Sequence, residues 1–227
     1  MEHERAEFKY FTLLSGLFIA TLLISNTVAQ KPIQLGSLVP PAAIILFPLT
    51  YIFGDVLTEV YGYARTRQVI WTGFLASGLM AAAYWIVVAL PAASFWTQQE
   101  ALSSILLPVP RIVLASLVGY LAGEFVNSFV LAKMKIFTEG RYLWTRTIGS
   151  TIAGQSVDTT LFVTFAFAGV WPRGQLVSSV LSLYALKVAY EVLATPITYI
   201  VVAFLKRTEG VDYYDRQTAF MPFRWRL

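Results

Sequence analysis

Phe47-Pro48-Leu49-Thr50-Tyr51-Ile52-Phe53-Gly54-Asp55-Val56-Leu57-Thr58-Glu59-Val60-Tyr61-Gly62-Tyr63 is the stretch on which the reading of this chain turns. Its apolar residues suit a bilayer, yet it carries a proline, two glycines and two carboxylates where plain hydrocarbon is expected. Ionisable groups at membrane depth are costly, and chains that keep them use them to handle a solute or a proton. The segment therefore points to a membrane protein with a polar interior.

The rest of the chain agrees. Of its 227 residues 57% are hydrophobic and 13% charged, against roughly 45–50% and about 25% in soluble domains. A bilayer-spanning helix needs about 20 predominantly apolar residues. That window gives six segments: Phe8–Ala29, Val39–Leu57, Val69–Leu90, Ile112–Leu131, Thr147–Val170 and Val180–Leu205. They use nearly the whole length, so the expected fold is all-α and polytopic, one integral membrane domain over residues 1–227. Between the third and fourth segments, Ala101–Leu107 is apolar but too short to span, and is expected to lie in the interface or re-enter. Phe8–Ala29 is longer than a signal-peptide core, and Glu2, Glu4 and Glu7 dilute the positive charge before it, so it reads as a retained first span.

Thirteen of the 17 Lys and Arg fall on one side of this topology: before the first segment, in the second and fourth connections, and after the sixth. Lys31, Arg111 and Arg173 lie on the other side, and Lys187 inside the sixth segment. The positive-inside rule then places both termini in the cytoplasm. Because the basic residues flank spans on alternating loops, a nucleic-acid partner is not expected. The charged, aromatic tail after Lys206 suits the membrane surface. With no cysteine, and His3 as the lone histidine, neither a metal centre nor a cofactor is expected. Hydrolase motifs such as Gly-x-Ser-x-Gly and His-Glu-x-x-His are absent, so no enzyme is expected.

Five of the six segments carry polar pairs three or four residues apart, hence on one helical face. They are Asn26 with Gln30, Asp55 with Glu59, Glu124 with Asn127, Gln155 with Asp158, and Lys187 with Glu191. The third segment has none, which suits a peripheral or subunit-contacting place, as in a homodimer. Convergence of the five faces on one chamber is expected, since lipid would expel them. Bland readings stand beside this one. Glu59 has Arg65 and Arg67 nearby to pair with, Lys187 and Glu191 can neutralise each other, and the amides can act as interhelical glue. Asp55, Glu124 and Asp158 have no obvious local partner. Such a set fits a planar polar heterocycle: carboxylates and amides meet its edge, and Phe47, Tyr51 or Tyr184 its faces. Pro48 and Pro196 are expected to kink or break their helices.

Ala122-Gly123-Glu124-Phe125-Val126-Asn127-Ser128 is echoed by Ala153-Gly154-Gln155-Ser156-Val157-Asp158-Thr159. In adjacent antiparallel helices the two copies would be related by an axis in the membrane plane, as in the inverted repeats of transporters. Gly119-xxx-Gly123 and Ser150-xxx-Gly154 also read as small-residue contacts for close helix packing.

Four stretches resemble the queuosine precursor transporter family, also called vitamin uptake transporter-like. They are Ser25–Lys31; Phe47–Tyr63; Gly140–Arg146 running on through Ser150-Thr151, Gln155 and Asp158-Thr159; and Lys187 with Thr195-Pro196 and Tyr199. The resemblance implies a six-helix transporter of the bacterial inner membrane that works without a dedicated ATPase. It implies uptake of 7-cyano- and 7-aminomethyl-7-deazaguanine for tRNA modification. A vitamin- or nucleobase-capture subunit energised by a separate ATPase is the alternative. In the fourth segment this chain has Glu124 and Asn127 where the family pattern has Gln and then Asp.

Overall fold

The structure, a computed structural model, describes residues 8–137 and 143–211, and side chains such as those of Tyr51 and Glu124 fall outside the description. The described residues are helical, with only isolated bridges of extended backbone. In chain order the elements are α1 (Phe11–Val28), a 3-10 turn (Ala42–Ile45), α2 (Phe47–Tyr61), α3 (Tyr63–Ala89), α4 (Gln99–Leu106), α5 (Val109–Phe137), α6 (Leu143–Phe167) and α7 (Arg173–Glu209). Four stretches among the described residues are long and apolar enough to cross a membrane: Phe11–Val28, Ala64–Ala89, Gln99–Gly123 and Arg173–Ala194.

The expected second span is where sequence and structure part. Pro40 and Pro41 hold the chain extended, the 3-10 turn follows, and a helix begins only at Phe47. With 15 residues, α2 is about 22 Å long at 1.5 Å per residue, short of the ~30 Å hydrocarbon core. Pro48 does not kink it. It lies in the first turn, where its missing N–H removes no helical hydrogen bond. Pro196 does lie inside α7, which at 37 residues is the longest helix described. The expected interfacial stretch folds as the eight-residue α4 and leads almost directly into α5.

Two glycines make turns at backbone angles that other residues rarely adopt. Gly36 (φ 62°) turns the loop after α1 back on itself, with Leu35 and Leu38 exchanging backbone hydrogen bonds. Gly62 (φ 86°, ψ 156°) ends α2 and starts α3, so the two helices change direction without a loop.

Packing follows from small residues and from apolar plugs at the two ends. α5 and α6 cross in close contact. A Cβ on Gly123 would sit 2.8 Å from the Asp158 Cβ and 3.0 Å from the Gly154 carbonyl oxygen. Reciprocally, a Cβ on Gly154 would sit 2.8 Å from the Asn127 Cβ and 2.9 Å from the Gly123 carbonyl oxygen. The sequence echo is thus a local two-fold crossing, with each glycine under the polar residue four places beyond the other. At one end of the bundle Ala29, Ile44, Ile112, Ala115, Val163, Ala166, Phe167 and Leu183 form a buried plug. There the Arg111 guanidinium donates to the carbonyl oxygens of Phe165 and Ala168 and caps the C-terminus of α6.

At the other end Val56, Leu57, Val60, Tyr61, Val69, Val202 and Leu205 pack together. A carboxylate ties this plug. Glu209, the last residue of α7, accepts the backbone N–H groups of Lys9 and Tyr10 and the Tyr61 hydroxyl, each at 2.8 Å. Tyr10 is the N-cap of α1 and makes no side-chain cap, so Glu209 supplies the anion that a helix N-terminus favours. Nearby, Lys206 pairs with Glu59 at 2.6 Å; Glu59 is held by α7, rather than by Arg65 or Arg67.

Partial burial pushes the Glu209 carboxyl up, but three donated hydrogen bonds and the Lys9 charge outweigh it and hold the group below the ordinary value of 4.5. The folded-state value lies below the unfolded one. The stabilisation is therefore complete above about pH 4.5 and is lost as pH falls through the depressed value. Thermal unfolding of wild type and Glu209→Gln across pH should show a gap at neutral pH that narrows as pH falls from 4.5 through the depressed value. At the helix crossing, Gly123→Val should lower stability by about 1–3 kcal/mol, read as a lower melting temperature in detergent.

Candidate functional site

Each helix except α4 carries a stripe of cavity-facing residues at helical spacing. On α5 it is Ser116, Tyr120, Gly123 and Asn127; on α6, Thr151, Gln155, Asp158 and Phe162. Both follow the same 0, 4, 7, 11 pattern, a single helical face. Asn26 comes from α1, Phe47, Thr50 and Asp55 from α2, Phe74 from α3, and Lys187 and Glu191 from α7. They enclose a cavity of about 400 Å³, within the usual range for small-molecule sites. Its deep end is closed by Ala29, Pro41, Ile44 and Leu183, all buried, whereas Asp55 and Thr58 are exposed.

Of the residues expected from sequence, Asn26, Phe47, Asp55, Asn127, Gln155, Asp158, Lys187 and Glu191 meet in this cavity. Gln30 does not. Its amide donates to the Ile105 carbonyl oxygen at 2.6 Å and ties the end of α1 to α4. Tyr184 is not among the lining residues. The side chains of Tyr51 and Glu124 lie outside the described residues, as do Gly140-Arg141-Tyr142 and the C-terminal tail from residue 212. Sequence reasoning missed Ser25, Thr50, Ser116, Tyr120, Thr151 and Phe162. Helical period would have found Thr151 and Phe162, four residues either side of Gln155 and Asp158.

The electrostatic centre is an ion pair between helices. Lys187 Nζ on α7 lies 2.5 Å from Asp158 Oδ2 on α6, with the two side chains 8% and 20% exposed. The same ammonium stands 4.8 Å above the Phe47 ring, a cation–π contact. Lys187 therefore reaches Asp158, not Glu191 one turn along its own helix. Glu191 lines the same cavity as Asp55 and Thr151. Asn26 Nδ2 donates to Ser77 Oγ at 3.4 Å.

Of the buried polar atoms without a partner among the described residues, two belong to lining residues. Asn127 Oδ1 and Gln155 Oε1 are buried and have no hydrogen-bond partner among the described residues. A buried polar atom left without a partner costs about 1–3 kcal/mol, so a donor brought within reach of either amide would be stabilising. Aromatic walls (Phe47, Phe74, Phe162) and amide or hydroxyl edges suit a flat polar ring. Among the described residues no group of three or more His, Cys, Asp or Glu is placed to hold a metal ion.

Residues 41–201 match the model of a family described as "Putative vitamin uptake transporter". The chain is 29% identical over 188 residues to the "Probable queuosine precursor transporter" of Bacillus subtilis (strain 168), covering 81% of this chain and 82% of that one. It is 23% identical over 160 residues to the "Queuosine precursor transporter" of Escherichia coli (strain K12), covering 70% of each. No solved structure matches it.

The buried ion pair gives a direct test. Lys187→Met leaves the Asp158 carboxylate without its counter-ion and should cost about 3 kcal/mol, the low end for a buried pair because Asp158 keeps some access to the cavity. The double variant Lys187→Met/Asp158→Asn should recover more than half of that loss. Unfolding of the purified protein measures both.

Proposed function

The chain belongs to the vitamin uptake transporter family, and on that premise we propose that it imports queuosine precursors, binding the 7-deazaguanine base in the cavity between α5, α6 and α7. One observation carries the reading: Asn127 and Gln155 line the same aromatic-walled chamber, and each holds a buried amide oxygen with no hydrogen-bond partner among the described residues. A deazaguanine offers several ring and exocyclic N–H donors and a flat face. The relatives' names supply the precursor class, and the aromatic and amide lining supports it.

In this reading the amides accept N–H donors of the base, Phe47 covers a face, and the Lys187–Asp158 pair fixes the α6–α7 wall against which the ring lies. Tyr51 and Glu124 are further candidates for the same site, carried by their positions one turn from Phe47 and Asn127. The α2–α3 turn and the end of α7 face the cytoplasm of a bacterial inner-membrane protein, with both termini on that side, as the distribution of Lys and Arg demands. The exposed Asp55 and Thr58 would then look inward, so the arrangement corresponds to the release side of the cycle.

Uptake by the purified chain reconstituted alone in vesicles tests the proposal. Radiolabelled 7-deazaguanine bases should enter without ATP. Asn127→Leu and Gln155→Leu should each cut the initial rate at least tenfold. Uptake that needs an added ATPase module would point to a capture subunit instead, and wild-type rates in both variants would remove these amides from the site.

A further inference from the structure

The closed end of the cavity is made largely by a stretch that is not a membrane helix. Between α1 and α2, residues 31–42 fold as a small hairpin. The Ile33 N–H donates to the Pro40 carbonyl oxygen and the Ala42 N–H to that of Lys31, while Leu35 and Leu38 exchange bonds around Gly36. The 3-10 turn Ala42–Ile45 then leads into α2. Pro41, Ala43 and Ile44 from this stretch, with Ala29 and Leu183, floor the cavity, and Ile44 is 1% exposed. With the chamber open beside Asp55 and Thr58, a solute from the other side enters only through this floor.

The floor meets α7 at three levels. The Val39 N–H donates to Ser182 Oγ at 3.1 Å. Ile44 and Leu183 share one buried apolar cluster, and the Lys187 ammonium stands 4.8 Å above the Phe47 ring. Among the described residues, Val39 to Ser182 is the one hydrogen bond from residues 32–46 to α5, α6 or α7. The hairpin's own backbone bonds close on itself, and Pro40 and Pro41 have no N–H to leave stranded. Non-helical chain at membrane depth is costly to move when its backbone groups lose partners. This stretch can leave α7 as a unit by giving up one such bond. α5 and α6 are fastened to each other instead, by the glycine crossing and by Arg111 on two carbonyl oxygens of the α6 end.

We propose that residues 31–47 are the outer gate of the transporter. The hairpin and the 3-10 turn swing off α7 to admit the solute, and Ser182 is the positioning residue that holds them shut. Ser182 is buried and absent from the cavity lining, so it acts on the solute only through the Val39 backbone. The gate ends on Phe47, whose ring lines the chamber, and an occupant lying against that ring bears directly on it. The inference rests on the orientation given above, with this end of the bundle facing outward.

The chain has no cysteine, so single introduced thiols report access without background. Ala43→Cys and Ala29→Cys each place a thiol on the floor, Thr58→Cys one at the inner mouth, and Val60→Cys one in the buried plug at the inner end. The probe is a membrane-impermeant methanethiosulfonate, applied to right-side-out and to inverted membrane vesicles. Both floor thiols should be modified from outside. Adding Ser182→Ala should speed that reaction about fivefold, the shift in open population expected from losing one hydrogen bond. Thr58→Cys should react from the cytoplasmic side. Val60→Cys should stay protected from both sides in the Ser182→Ala background, which general loosening of the fold would not allow.

Floor thiols that never react from outside overturn the gate. So does an outside rate that Ser182→Ala leaves unchanged, because an opening made by α5 and α6 swinging away would not depend on that hydroxyl. Reaction of Val60→Cys would assign the effect to loosening of the fold and overturn it equally. Modification of Thr58→Cys from outside and not from inside would reverse the orientation and remove the gate with it. The assay contains no base, so each of these results leaves base binding in the cavity to be judged by the uptake experiment.

Discussion

A lysine ammonium and an aspartate carboxylate share the middle of this bundle, and the surrounding structure accommodates the cost of keeping them there. Removing two charges from water costs several kcal/mol each, which is recovered only when geometry and neighbouring groups are favourable. Lys187 meets that demand with Asp158 on one side and the Phe47 ring on the other. The pair joins α6 to α7. It also requires α5 to lie close against α6, because Gly119 and Gly123 face the Asp158 side chain and backbone at distances where a Cβ would clash. Charge and small residues are therefore parts of one arrangement. Glycine permits the close crossing, and the crossing places Asn127 and Asp158 on either side of it.

From that centre outward both ends carry a buried apolar plug, and they differ in the polar groups that tie each plug. The end near the 3-10 turn is sealed by apolar packing and by Arg111 capping α6. The other end is held by polar ties between α7 and the first two helices, Glu209 to Lys9, Tyr10 and Tyr61, and Lys206 to Glu59. Exposed ion pairs such as Lys206–Glu59 contribute little and exchange readily, which suits an end that rearranges during turnover.

Much of this was legible in the residues. An apolar chain with polar pairs three or four apart specifies helices whose polar faces converge, and eight of the eleven expected site residues do meet in one cavity. The seven-residue echo was readable as an inverted crossing. Other features were hidden because they depend on partners far along the chain. Lys187 has a carboxylate four residues away, and nothing local indicates that it would choose Asp158, 29 residues distant. Gln30 reads as a cavity amide until α4 is seen to take it through the Ile105 carbonyl oxygen, 75 residues along the chain. Pro48 looks like a mid-helix break only while the helix is drawn from Val39; two prolines upstream delay its start to Phe47. Hydroxyls such as Thr50 and Ser116 drew no notice because serine and threonine are ordinary in membrane helices.

The central claim is that the polar faces of these helices form one chamber that receives a planar base. A structure determined with a 7-deazaguanine bound tests it most directly. The account predicts ring density between α5 and α6, with Asn127 Oδ1 and Gln155 Oε1 each within about 3 Å of a ligand nitrogen, and Phe47 beside the ring. A base held elsewhere, or those two amides turned into helix–helix hydrogen bonds with the chamber filled by side chains, would contradict it.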